Sequence, residues 1–81
     1  MKKDDVLNVL NDIFVTVLNK KELRLDYSMS TDDIDEWDSL TNMTIISEIE
    51  KHYSIHFKLR DIIKMRNVGD MVDVIIKKSQ E

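Results

Sequence analysis

No cysteine, no proline and a single glycine occur among the 81 residues. Lack of cysteine excludes disulfides, thiolate metal sites and a cysteine nucleophile within the chain. With one glycine and no Asn-Gly pair, tight β-hairpins are disfavoured, because their turns need residues at ease with positive φ. Twelve basic residues stand against sixteen acidic ones, a net charge of −4. That balance lacks the cationic surplus that a nucleic acid backbone requires. No apolar run is long enough to cross a bilayer, so stable membrane insertion is not expected. The opening "MKKDDVLNVL" carries two lysines, but Asp4, Asp5, Asn8, Asn11 and Asp12 interrupt any signal-like apolar stretch. The expectation is one small, soluble, cytoplasmic domain over residues 1–81, monomeric, with a modest core and little room for a deep catalytic cleft.

What the chain does contain is helical periodicity. Val6, Leu7, Val9, Leu10, Ile13, Phe14, Val17 and Leu18 recur at spacings of three and four, predicting a first helix over residues 4–19. Asp4 and Asp5 at its start and Lys20 and Lys21 at its end suit the helix dipole. Residues 20–37 keep no period. Their scattered Leu23, Leu25, Tyr27, Met29, Ile34 and Trp37 suggest a long loop packed onto the helices, the kind of segment that is often functional. A second helix is expected over residues 39–53, with Leu40, Met43, Ile45, Ile46, Ile49 and Tyr53 on one broad face. "SIHFKL", residues 54–59, alternates like a strand, but no partner strand is evident. It reads as a connector whose Ile55 and Phe57 plug the core. A short helical turn over 59–65, with Ile62 and Ile63 inward, follows. Asn67 resembles an N-cap with Asp70 as its reciprocal partner. It opens a last helix to about Lys78 that buries Val68, Met71, Val72, Ile75 and Ile76. The predicted fold class is all-α: three long helices, one short, and a long first connection.

Ser39 stands where the loop meets the second helix. As a helix-start residue it needs no further explanation. The same place also suits a serine bearing a phosphodiester, since helix N-termini present unpaired N–H groups and the positive end of the dipole. A neighbouring carboxylate, Asp38, can help to hold a divalent ion during phosphoryl transfer. A nucleophilic role is disfavoured: within an intact helix His52 lies roughly 20 Å away at the usual rise per residue, which excludes direct proton transfer from Ser39.

The chain resembles the acyl carrier proteins over nearly its whole length. The resemblance rests on "DSL" at residues 38–40 after an acidic loop, on "LTNMTIISEIEKHYSIHF" as the second helix and connector, and on "NVGDMVDVI" as the final helix. It implies a four-helix bundle without catalytic residues of its own. It also implies that Ser39 is esterified with 4′-phosphopantetheine by a phosphopantetheinyl transferase using coenzyme A. The arm's thiol would carry an acyl or aminoacyl group as a thioester to loading and transferring enzymes. Those partners would meet Asp38, Leu40, Thr44, Ser47, Glu50 and Lys51. Met43, Ile46, Ile49, Met65, Met71 and Ile75 are candidates to line a space for an acyl chain, or are ordinary core residues.

The sequence departs from the carriers of fatty acid synthesis at the second helix. Many of those carry a row of carboxylates that docks on basic patches. Here Thr41, Thr44, Glu50, Lys51 and His52 stand instead, and the carboxylates gather earlier, at Asp32, Asp33, Asp35, Glu36 and Asp38. Complementary charge mainly sets encounter rate and partner choice, so different partners are expected. "WDSL" looks like the carriers of dedicated pathways such as surface polysaccharide, polyketide or peptide assembly. Trp37 itself is either a loop anchor or a partner contact. His52 and His56 are two ligands at most and call for no metal. A cofactor-free interaction module using the second helix remains an alternative. A helix-turn-helix DNA binder is disfavoured by the acidic loop, its only support being Lys58, Arg60, Lys64 and Arg66.

Overall fold

The computed structural model describes all 81 residues. Four helices follow one another: α1 (Lys3–Leu18), α2 (Ser39–Tyr53), α3 (Leu59–Lys64) and α4 (Val68–Ser79). None of them is long and apolar enough to cross a membrane. α1 packs against both α2 and α4, while α3 leans on α4. One core results, built from Val6, Leu10, Phe14 and Leu18 of α1, Ile45, Ile46 and Ile49 of α2, and Val68, Met71, Val72 and Ile75 of α4. Ile34, Trp37 and Phe57 enter that core from the connections. α3 contributes no buried residue.

α1 and α2 each end for a local reason. α1 stops at Leu18 because Asn19 turns left-handed, at φ 55°, and returns its N–H to Val15 O. Lys20 and Lys21 therefore lie beyond the helix and do not complement its dipole as expected; Lys20 instead pairs with Glu36 at 3.2 Å. α2 stops at Tyr53 through the same device at Ser54, φ 55°, whose N–H reaches Glu50 O. His52 and His56 consequently fall on either side of a helix end. At the start of α4 the Asn67 side chain accepts the Asp70 N–H at 2.8 Å, as anticipated. The reciprocal half of that box differs: Asp70 Oδ2 accepts from Arg66 N–H at 3.2 Å, one residue before the cap.

The long connection is packed down, as its apolar residues suggested. Asn11 of α1 pins it from both sides, accepting the Leu25 N–H at 2.7 Å and donating to Leu23 O at 3.2 Å. Further on, Val68 N–H bonds to Met29 O and Gly69 N–H to Tyr27 O, at 2.9 and 2.8 Å. That close approach explains the one glycine: a Cβ at residue 69 would sit 3.0 Å from Tyr27 O. The connector after α2 forms no strand; Phe57 is buried and Ile55 packs on the core.

α3 corrects one expectation. Ile62 is half-buried against the core, but Ile63 is 66% exposed. Adjacent residues on a helix point about 100° apart, and a six-residue helix resting on one neighbour has a single inward line.

Candidate functional site

The junction of the long connection with α2 is built by three consecutive residues with separate tasks. Trp37 fixes the end of the loop. It is 4% exposed, its ring meets Phe14 edge-to-face at 4.8 Å, and its indole N–H donates to Asn42 Oδ1 at 2.9 Å. Of the two roles open to it, the geometry supplies the anchor.

Asp38 is the N-cap of α2. Its Oδ1 accepts the Leu40 and Thr41 N–H groups at 3.0 and 2.9 Å. Thr41 reciprocates: its hydroxyl oxygen accepts the Asp38 N–H at 2.9 Å and donates to Glu36 O at 2.8 Å. These bonds, the one from the Thr41 amide foremost, hold the Asp38 carboxyl below the usual aspartate value. The charged form is favoured because the N–H groups point at it. Asp38 and Thr41 are three apart, so the pair was readable in the sequence as a capping box with Thr in the place of Glu.

Ser39 is the first residue of α2, it is exposed, and it takes no part in the cap. The first turn of a helix leaves several N–H groups without intrahelical partners. Here Asp38 takes those of Leu40 and Thr41, and Asn42 N–H reaches Asp38 O at 2.8 Å. The Ser39 N–H is the one left over. A phosphate on Ser39 would thus find the dipole and one backbone donor rather than a full cradle. The residues fit such a group: the hydroxyl is open, and Asp38 Oδ2 is outside the cap.

The remaining residues expected at a docking face separate into two sets. Leu40, Thr44, Ser47 and Lys51, spaced by three and four, are all exposed on the outward side of α2. Glu50 lies on the flank and is occupied. Its Oε2 accepts the Phe57 N–H at 2.8 Å and stands 3.2 Å from His56 Nδ1. Glu48 pairs with Lys51 at 3.3 Å. The candidate acyl lining also divides. Ile46, Ile49, Met71 and Ile75 are buried, Met65 is half-buried, and Met43 is 55% exposed. None of the six lines any surface hollow, so room for a chain would have to be opened by moving helices apart.

Sequence reasoning missed two pairings because nothing local signals them. Asp61 of α3 meets Lys78 of α4 at 3.0 Å, with both side chains largely covered. Tyr27 O–H donates to Asp4 Oδ1 at 2.6 Å, tying the loop to the start of α1.

No curated protein sequence matches the chain. The solution structure of a holo acyl carrier protein from Geobacter metallireducens is similar to it, with 42% identity and a TM-score of 0.83. The similarity covers 89% of this chain and 83% of that one. The phosphopantetheine attachment site family matches residues 8–75, which span α1 from Asn8 through most of α4. The chain therefore belongs to the phosphopantetheine-binding acyl carrier protein family, as a non-catalytic carrier served by a phosphopantetheinyl transferase and acyl-handling enzymes.

Proposed function

We propose that Ser39 is the residue that bears the phosphopantetheine, and that the carrier serves a dedicated biosynthetic pathway, holding an acyl or aminoacyl cargo. The observation that carries the assignment is the division of labour at the start of α2: Asp38 caps, Thr41 locks the cap, and the exposed Ser39 has no structural task. When bound, the group supplies the thiol on which cargo travels. The chain's own part is to keep the Ser39 hydroxyl outside the core, at the positive end of a helix whose terminus does not fray.

Support for a dedicated pathway is the outward side of α2. Leu40, Thr44, Ser47 and Lys51 offer apolar, neutral and cationic contacts where a carboxylate row would offer negative ones, and Glu48 and Glu50 are already engaged. Asp38 and those residues form the partner surface in this reading. The chain acts as one domain and a monomer, in the cytoplasm.

Incubation with coenzyme A and a promiscuous phosphopantetheinyl transferase should add one phosphopantetheine to the intact mass. Ser39→Ala should abolish the addition with Tm unchanged. An unmodified wild-type mass, with the transferase active on a control carrier, would overturn the assignment.

A further inference from the structure

α3 is the one helix without a buried residue, and it rests on α4. From behind it is held by Ile62 and by Asp61, whose carboxylate accepts the Lys58 N–H at 2.8 Å and meets Lys78 at 3.0 Å. Its outer side is apolar at Leu59 and Ile63, 73% and 66% exposed. Four residues apart, these two make one ridge, and Arg60 and Lys64 make the next. Lys58 and Arg66 stand at either end. Lys58, Arg60 and Lys64 have no carboxylate within ion-pair distance, and Arg66 reaches Asp70 only at 3.9 Å. The one acid of the segment, Asp61, is already answered by Lys78. In a chain of net charge −4 this is a locally positive face with an apolar centre.

Stability does not account for it. Leucine and isoleucine turned outward add little to the core, and unpaired like charges repel. Placement does. The chain enters α3 beside Glu50, which holds the Phe57 N–H, and leaves it for the start of α4, which bonds to Tyr27 and Met29 of the loop leading to Ser39. Met43, half-exposed, lies on the same flank of α2 as Glu50, two turns before it. α3 thus bridges the end of α2 and the part of the loop around Tyr27 and Met29.

We propose that the Leu59–Ile63 ridge, with Arg60 and Lys64, docks an enzyme whose carrier-binding face is an apolar groove rimmed by Asp and Glu. This rests on Ser39 as the attachment point. Charge complementarity names the rim: three free cations select carboxylates and reject the basic patches that suit acidic carriers. A protein fits better than an anionic lipid surface. α3 spans only six residues, and a flat anionic bilayer would face the carboxylates of Asp32, Asp33, Asp35 and Asp38 as well as the cations, whereas an enzyme's acidic rim can be confined to α3.

The test replaces the chain in its own host with Arg60→Glu/Lys64→Glu and reads intact mass, in which arm and cargo are separate increments. The expected result is full retention of the arm with the cargo-bearing fraction down about tenfold. Arg60→Gln/Lys64→Gln, which removes charge without reversing it, should show a smaller loss and covers the case in which the reversal impairs folding by circular dichroism. A cargo fraction equal to wild type overturns the proposal. So does loss of the arm in the variants alone, which places the cations at the transferase, and so does binding of wild type, but not the variant, to phosphatidylglycerol vesicles. A wild-type protein without any arm overturns the Ser39 assignment itself, a result distinct from an arm with undiminished cargo.

Discussion

Replacing Trp37 tests whether the geometry beside Ser39 is anchored or borrowed from a partner. The side chain is 4% exposed, packs edge-to-face on Phe14 at 4.8 Å, and donates to Asn42 at 2.9 Å. Truncating a buried aromatic to alanine costs about 3–5 kcal/mol, including the transfer of the ring and the cavity it leaves. A small domain has a total stability of roughly 5–15 kcal/mol, and a short chain sits toward the lower end. Trp37→Ala should therefore leave a protein that is barely folded. Trp37→Phe is the sharper experiment. A benzyl ring keeps most of the contact with Phe14 but loses the indole N–H, and Asn42, half-buried, can turn its amide toward water. The hydrogen bond and the lost ring volume together come to about 1–2 kcal/mol. At this size that lowers Tm by roughly 5–15 °C. Urea titration should be followed by far-UV circular dichroism, because the substitution removes the only tryptophan. A second measurement, the rate of phosphopantetheinylation under native conditions, separates the two roles. An anchor predicts kcat/KM within about twofold of wild type for the folded Phe variant. Unchanged stability with a modification rate down more than about tenfold would refute the anchor and make the indole a surface that the transferase reads.

Two further outcomes follow from titrating groups. Asp38 is held below its ordinary value of 3.8 by hydrogen bonds to the charged form, the Thr41 amide first, so its contribution is complete above that value and is lost as pH falls through the folded one; Asp38→Asn should flatten the fall of Tm below about pH 4, and Asp38→Ala should lower Tm at neutral pH by about 5 °C. Tyr27 is pushed up to about 12 from 10.0, first by its hydrogen bond to Asp4; the stabilisation is intact below 10.0 and disappears as pH rises toward about 12, so absorbance at the tyrosinate band should show a late-titrating phenol that Asp4→Ala returns to the ordinary range.

What was legible in the sequence was whatever local periodicity writes down. α2 was expected over residues 39–53 and spans Ser39–Tyr53, because its apolar spacing begins just after a capping residue. The Asn67 cap was legible for the same reason. Errors arose where a helix is short or a partner is distant. Ile63 looked like its neighbour Ile62, and only the direction of α4 decides which of the two faces inward. Lys78 lies in the last turn of α4, where it suits the dipole, but its pairing with Asp61 of α3 has no local signal. Asn11 looked like one more polar residue on α1, yet both ends of its amide hold the loop. Ser39 was a poor guide to its own surroundings: the helix is capped by the residue before it.

That last displacement has a physical consequence for how such a site can exist. A serine used as a cap directs its oxygen back at the N–H groups two and three residues on, and a group esterified to that oxygen would compete with the cap. Moving the cap to Asp38 resolves the conflict, since a carboxylate satisfies two N–H groups through one oxygen and is favoured there by the dipole. Beyond Ser39 the core is set back: the first buried residue of α2 is Ile45, six positions on, and α3 has none at all. The surface from Ser39 to Ile63 can therefore vary in charge and shape with little effect on the packing of α1, α2 and α4. A carrier scaffold of this kind can be retargeted to new enzymes by substitutions on α2 and α3 while Asp38, Trp37 and the buried face hold the hydroxyl in place.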